Sequence, residues 1–171
     1  MSCSNSAANS ACREAGQKYV CINADEGDSG TFADRMLMEG DPLTLIEGAT
    51  IAGLSVGATL GLVYVRSEYP DAIRILRGAI DVARDRGWLG ADVLGSGRGF
   101  DLTVRAGAGS YVCGEETAML ESLEGRRGMV RAKPPLPAME GLFGRPTLIG
   151  NVLSLAAVPF IAERGADAYA H

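Results

Sequence analysis

From Gly48 to Val65 the sequence runs for 18 residues without a charged side chain. A run of that length has to be buried, in a bilayer or in a protein core. Gly53, Gly57 and Gly61 stand at GxxxG spacing, the pattern of a packed membrane helix. Glycine, alanine, serine and threonine nevertheless fill about half of the run, and no basic cluster flanks it to set an orientation. Asp41 followed by Pro42 is a helix start, with Asp at the N-cap and Pro at the first helical position. The last six residues, LGLVYV (60–65), are those of a buried strand. A buried helix over 42–57 followed by a buried strand over 60–65 therefore accounts for the run without direct membrane insertion. The spaced glycines let that helix pack closely on a sheet.

The rest of the chain repeats this alternation. KYVCIN (18–23) reads as a short strand, and 24–41 as a long acidic loop or a loop with a short helical turn. Ile73, Leu76, Ile80 and Ala83 recur at spacings of three and four, which predicts an amphipathic helix near 70–86 ended by Gly87. GSGRGF (95–100) is a turn, DLTVR (101–105) a strand, and 107–114 a glycine-rich bend. A helix over 115–124 is closed by Gly125. Residues 126–146 are basic, Pro-rich and extended, and a last helix over 151–164 is kinked or broken at Pro159. Residues 1–17 are expected to be a disordered leader and 18–171 a single domain. Strands alternating with helices predict an α/β fold with a Rossmann-like, mainly parallel sheet and flanking helices.

Composition removes several function classes. The only histidine is His171, which excludes a Ser-His-Asp triad, a Cys-His pair and a His-based metal site. Sixteen basic against 21 acidic residues give a net charge of −5, the wrong sign for a nucleic-acid binder. Cys3, Cys12, Cys21 and Cys113 contain no CxxC pair, so neither a zinc ribbon nor a self-contained iron–sulfur run is present. With no apolar signal segment at the start, they read as reduced thiols in a cytoplasmic protein.

Two segments carry chemistry. Between positions 21 and 41 lie six acids (Asp25, Glu26, Asp28, Asp34, Glu39, Asp41) and one base, Arg35. At a strand's C-terminal end, where open α/β sheets bind ligands, such carboxylates repel phosphate but accept hydrogen bonds from ribose hydroxyls, ring N–H groups or a carboxamide. A calcium loop starting at Asp25 fails, because Gly27 and Met36 occupy ligand positions. A plain solvated acidic loop is the competing reading. The second segment is RAGAGSYVCGEETAMLESLEG (105–125), a strand, glycines and then a helix start. Its backbone N–H groups suit a phosphate. Val112 breaks a dinucleotide fingerprint, and no Gly-Lys-Ser/Thr follows. Glu115 and Glu116 at the helix start are also ordinary dipole matching.

Together these strings resemble the family of FMN- and NAD(H)-binding flavoprotein subunits of respiratory complex I. GAGSYVCGEETAMLES is similar to that family's FMN-site signature, with Ser110 where Ala is usual. NADEGDSGTFADRMLMEGDP, RSEYPDAI, WLG and RAKPPLPAMEGLFGRPTLIGNV are closer still to the beta subunit of soluble NAD-dependent formate dehydrogenases. The resemblance covers about residues 18–170. It implies an NAD(H):FMN oxidoreductase, a diaphorase domain that works beside alpha- and gamma-type iron–sulfur subunits of an electron-transfer complex. It implies flavin contacts at Asn23, Asp25 and Glu26, and an NADH contact at Asp28. It places Tyr111, Gly114 and Glu115 on the FMN side of the bend and Glu116 facing the nicotinamide. Where the family has paired asparagines, Gly150-Asn151 leaves Asn151 alone. Leu136 replaces an aromatic residue of the complex I branch. A GRGGAGF-like loop expected before the first strand is not found in residues 1–17. The cysteines of the family's [4Fe–4S] cluster are absent too, so the domain is expected to be incomplete. The rival expectation is a truncated, non-catalytic fragment that keeps the fold and binds no cofactor.

Overall fold

Among the described residues, four short segments form one sheet: β1 (Tyr19–Ala24), β2 (Leu60–Val65), β3 (Asp101–Ala106) and β4 (Thr147–Asn151). The computed structural model describes residues 16–28, 30–108 and 110–170. The strand order is β3-β2-β1-β4 and every pairing is parallel. Ala24 lies opposite Val65, Val65 opposite Ala106, and Asn23 opposite Asn151, so the C-terminal ends of the strands are level.

Seven α-helices surround the sheet among the described residues: α1 (Ala33–Gly40), α2 (Pro42–Val56), α3 (Pro70–Asp85), α4 (Glu116–Leu123), α5 (Val152–Ala156), α6 (Val158–Arg164) and α7 (Ala166–Ala170). Side chains alternate across a strand, and β1 and β2 use the alternation to feed two cores. Val20, Ile22, Ala24, Val63 and Val65 pack with Met38 of α1, Leu45, Ile46 and Ala49 of α2, Leu76 and Ile80 of α3, and Leu155 of α5. Cys21, Leu62 and Tyr64 point the other way, onto Cys113, Met119, Leu120 and Leu142. The result is a three-layer α/β sandwich, thick on one face and thin on the other.

The charge-free run divides as predicted. Asp41 caps α2 by accepting from the Thr44 N–H at 3.2 Å, and Gly57 closes it at φ 73° before β2 begins. Among the described residues no helix is long and apolar enough to cross a membrane. Two elements differ from the sequence reading. The acidic segment holds more than a short helical turn, because α1 spans 8 residues in its second half. β4 takes up 147–150, to which the sequence reading assigns no element, and ends on Asn151, read there as the start of the last helix, since its partner β1 is remote in sequence. The final helix is broken at Ala157, with Pro159 in the first turn of α6, as the sequence predicts, and α7 follows it. Of the predicted leader, residues 1–15 lie outside the described residues. Gln17 is already engaged, its Nε2 donating to Thr59 Oγ1 at 3.0 Å.

Close approach explains a glycine at the head of the charge-free run. A Cβ on Gly48 in α2 would sit 1.9 Å from the backbone carbonyl oxygen of Leu155, so α5 packs directly on the α2 backbone there. Gly78, exposed on α3, has open space around it. Gly48→Ala is expected to destabilise the chain by about 2 kcal/mol or more through overpacking. Gly78→Ala is expected to stabilise it by about 0.5–1 kcal/mol through helix propensity. Urea denaturation midpoints of the two variants check the opposite signs.

Candidate functional site

The level strand ends open into a cleft of about 330 Å³ lined by Asn23, Asp25, Glu26, Gly27, Asp28, Thr31, Ala33, Asp34, Gly114, Asn151 and Leu153. Parallel sheets leave a crevice at this edge because each chain segment departs from the strand end into a loop and a helix. Asn23, the penultimate residue of β1, spans the cleft, its Nδ2 donating to the Gly114 carbonyl at 2.8 Å. Its Oδ1 accepts the Asp25 N–H at 3.1 Å and turns the chain out of the strand.

Glu26 is buried and shapes the wall. One carboxylate oxygen accepts the Asp34 N–H at 3.1 Å. The other accepts the Arg35 N–H at 3.4 Å and the Tyr69 hydroxyl at 3.1 Å. The first-turn N–H groups of α1 have no side-chain cap from Phe32, so Glu26 supplies that cap from outside the helix. The Tyr69 ring lies within cation–π reach of two guanidinium groups, 5.2 Å from Arg66 and 5.3 Å from Arg35.

Next to Glu26, Asp34 of α1 accepts from Asn151 Nδ2 at 2.9 Å, while Asn151 Oδ1 caps α5 through the Leu153 N–H at 2.9 Å. Burial raises the Asp34 carboxyl, the Asn151 bond opposes this, and Glu26 adds to it. Burial likewise raises Asp25, whose Oδ2 is enclosed without a hydrogen-bond partner. Among the described residues, no lysine or arginine lines the cleft.

The predicted residues thus divide. Asn23, Asp25, Glu26, Asp28, Gly114 and Asn151 share one cleft although they are far apart in sequence. Tyr111, Glu115 and Glu116 flank it. The Tyr111 ring lies over Gly27, where a Cβ would come within 2.8 Å of it. Glu115 is the N-cap of α4, accepting from the Thr117 and Ala118 N–H groups at 2.8 and 2.9 Å. Burial works against its charge, but the Thr117, Ala118 and Lys133 hydrogen bonds outweigh this and hold its carboxyl below the ordinary range. Glu116 shares the Lys133 ammonium with Glu115. Sequence reasoning misses Lys133, whose RAKPP setting carries no local signal, and misses Asp34 and Thr31 as lining residues. For Asp34 the available signal is its place among the acids of 21–41.

Beneath the glycine bend, Tyr64 is buried against Gly107, and its hydroxyl meets Ser122 Oγ at 2.9 Å. Burial above all pushes the Tyr64 phenol up to about 12, so it stays neutral.

Comparison with known proteins bears on this site. Residues 5–160 match the family profile described as Nuo51 FMN-binding domain. The chain is 54% identical over 148 residues to an NADH-quinone oxidoreductase subunit of Rhizobium meliloti, covering 86% of this chain and 35% of that protein. It is 50% identical over 154 residues to NADP-reducing hydrogenase subunit HndC of Solidesulfovibrio fructosivorans, covering 90% and 31%. A chain of an NAD+-reducing [NiFe]-hydrogenase in its H2-reduced state superposes with a TM-score of 0.81 at 38% identity, covering 94% of this chain and 27% of that one. The chain spans about a third of the length of the curated relatives it matches.

Glu26→Ala is expected to cost about 2–4 kcal/mol, because buried donors lose their acceptor and α1 loses its cap. Glu26→Gln, which keeps one acceptor oxygen, is expected to cost about half as much. Chemical denaturation followed by circular dichroism measures both, and equal stability of all three proteins would remove Glu26 as the organiser of this wall.

Proposed function

The chain belongs to the Nuo51 FMN-binding domain family, and on that premise we propose that its cleft holds the ring system of FMN for electron exchange with NAD(H). The observation that supports this reading is the lining itself. Asn23, Asp25, Asp28, Asp34 and Asn151 present acceptors and amides at the C-terminal ends of parallel strands, with no cation among them. Such a set fits neutral donors, namely a flavin's imide N–H and its ribityl hydroxyls, and repels a phosphate. The lining therefore fits the ring and polyol of FMN, and the phosphate lies beyond it.

When bound, the flavin supplies hydride and single-electron chemistry that no side chain here provides. The residues bind and orient. Asn23 fixes the distance between the 23–28 loop and Gly114, and Asp25 accepts from the ring. Tyr111, largely exposed above Gly27, offers a face for a second planar group. The Glu115–Glu116 pair, shared by Lys133, stands at the start of α4 beside that position. A carboxylate there favours the cationic NAD+ ring over neutral NADH and so bears on product release. In this reading the chain works within a multi-subunit electron-transfer complex, in the cytoplasm, beside iron–sulfur subunits. The strings over 23–42 and 131–152 favour a formate dehydrogenase context.

Flavin titration distinguishes this reading from a fold that binds no cofactor. Riboflavin and FMN are expected to quench on binding to the 171-residue chain with dissociation constants within about tenfold of each other, a difference of about 1.4 kcal/mol. FMN binding a hundredfold tighter than riboflavin would place a phosphate site inside the cleft and overturn the assignment of its lining. Binding of neither would favour the non-catalytic fragment.

A further inference from the structure

We propose that Arg66 is a positioning residue of this cleft, holding the acidic strand-end loop through the Glu26 carbonyl and presenting its charge to the enclosed side of Asp25. The consequence for ligand binding rests on the flavin reading above, whereas the geometry does not.

Arg66 is the first residue after β2, and because Ala24 pairs with Val65 it stands beside Asp25 at the centre of the sheet edge. Its guanidinium makes three kinds of contact. Nη1 donates to the Glu26 carbonyl oxygen. Nη2 donates to Glu68 Oε1 at 3.0 Å, a half-exposed pair that contributes little by itself. The planar face lies on Tyr69, whose hydroxyl holds the Glu26 carboxylate. Glu26 is therefore gripped twice, by its main chain from Arg66 and by its side chain from Tyr69. Arg66 is absent from the cleft lining, so it acts through the loop and not on a ligand directly.

The remaining donor, Nε, is enclosed and has no hydrogen-bond partner, and Asp25 Oδ2 is enclosed and has none either. A carboxylate oxygen removed from water without a hydrogen bond is costly unless a nearby cation offsets it. Arg66 is that cation. Around Asp25, Glu68 follows Arg66 in the same loop, Tyr64 projects from β2, and Gly114 leads into Glu115 on the α4 side. Burial raises the Asp25 carboxyl first, Arg66 lowers it, and Glu68 raises it.

Arg66→Met removes charge and fork together, while Arg66→Lys keeps the charge and loses the fork. In the cofactor-free 171-residue chain, a carbon-13 NMR titration is expected to show Asp25 protonating at higher pH in Arg66→Met and staying nearer the unsubstituted position in Arg66→Lys. Amide hydrogen exchange at Glu26–Asp28 is expected to quicken by roughly tenfold or more in both, the scale of one lost hydrogen bond to a charged group. Riboflavin affinity is expected to fall further for Arg66→Met than for Arg66→Lys. An unchanged Asp25 titration with unchanged exchange in Arg66→Met overturns the proposal. Should Arg66→Met not fold by circular dichroism, unchanged exchange in Arg66→Lys overturns it instead. If no variant and no parent binds riboflavin, the flavin reading fails while the titration and exchange still decide the role of Arg66.

Discussion

A buried carboxylate capping a helix from outside is the contact on which the cleft depends. Glu26 leaves β1 and gives its oxygens to the first turn of α1 and to Tyr69 at the start of α3. Without it, α1 would expose its first N–H groups in a buried setting, and an eight-residue helix has little intrinsic stability to offset that. The same contact sets where Asp34 stands, and Asp34 in turn fixes Asn151 across the cleft. One acid thus joins the ends of β1 and β4, two helices and the loop after β2.

This arrangement concentrates negative charge where the sheet opens. Asp25, Glu26, Asp28 and Asp34 line one small volume, and the balancing cations, Arg35 and Arg66, lie behind them on Tyr69. In the proposed reading, charges placed in that order suit neutral hydrogen-bond donors or partial positive charge. Glu26 and Asp34 are held by protein-internal partners, whereas one Asp25 carboxylate oxygen is enclosed without a hydrogen bond. Family resemblance groups Asn23, Asp25 and Glu26 as flavin contacts, whereas the geometry gives Glu26 a visible structural duty in addition.

Legibility in the sequence follows the range of the interactions involved. α2 and β2 are readable because their signals are local: Asp41-Pro42 at one end, Gly57 at the other, and LGLVYV beyond. The glycine closing α4 is readable for the same reason, Gly125 having φ 78°. α1 is not, since its cap is Glu26 and not the residue that precedes it. β4 is not, because TLIGN is a strand only by pairing with β1. In the site, the strand-end positions of Asn23 and Asp25 follow from topology. Asp34, Lys133 and Arg66 do not, because each matters through a partner brought near by folding.

The assignment of the cleft is tested most directly by following backbone amide NMR signals of the 171-residue chain during addition of FMN. The account predicts that the largest shifts fall on Asp25, Gly27, Asp34, Gly114 and Asn151, at the strand ends and the start of α1. Shifts centred instead on the separate cavity formed by α4 and the 131–144 segment, where Arg126 and Arg131 lie, would contradict it.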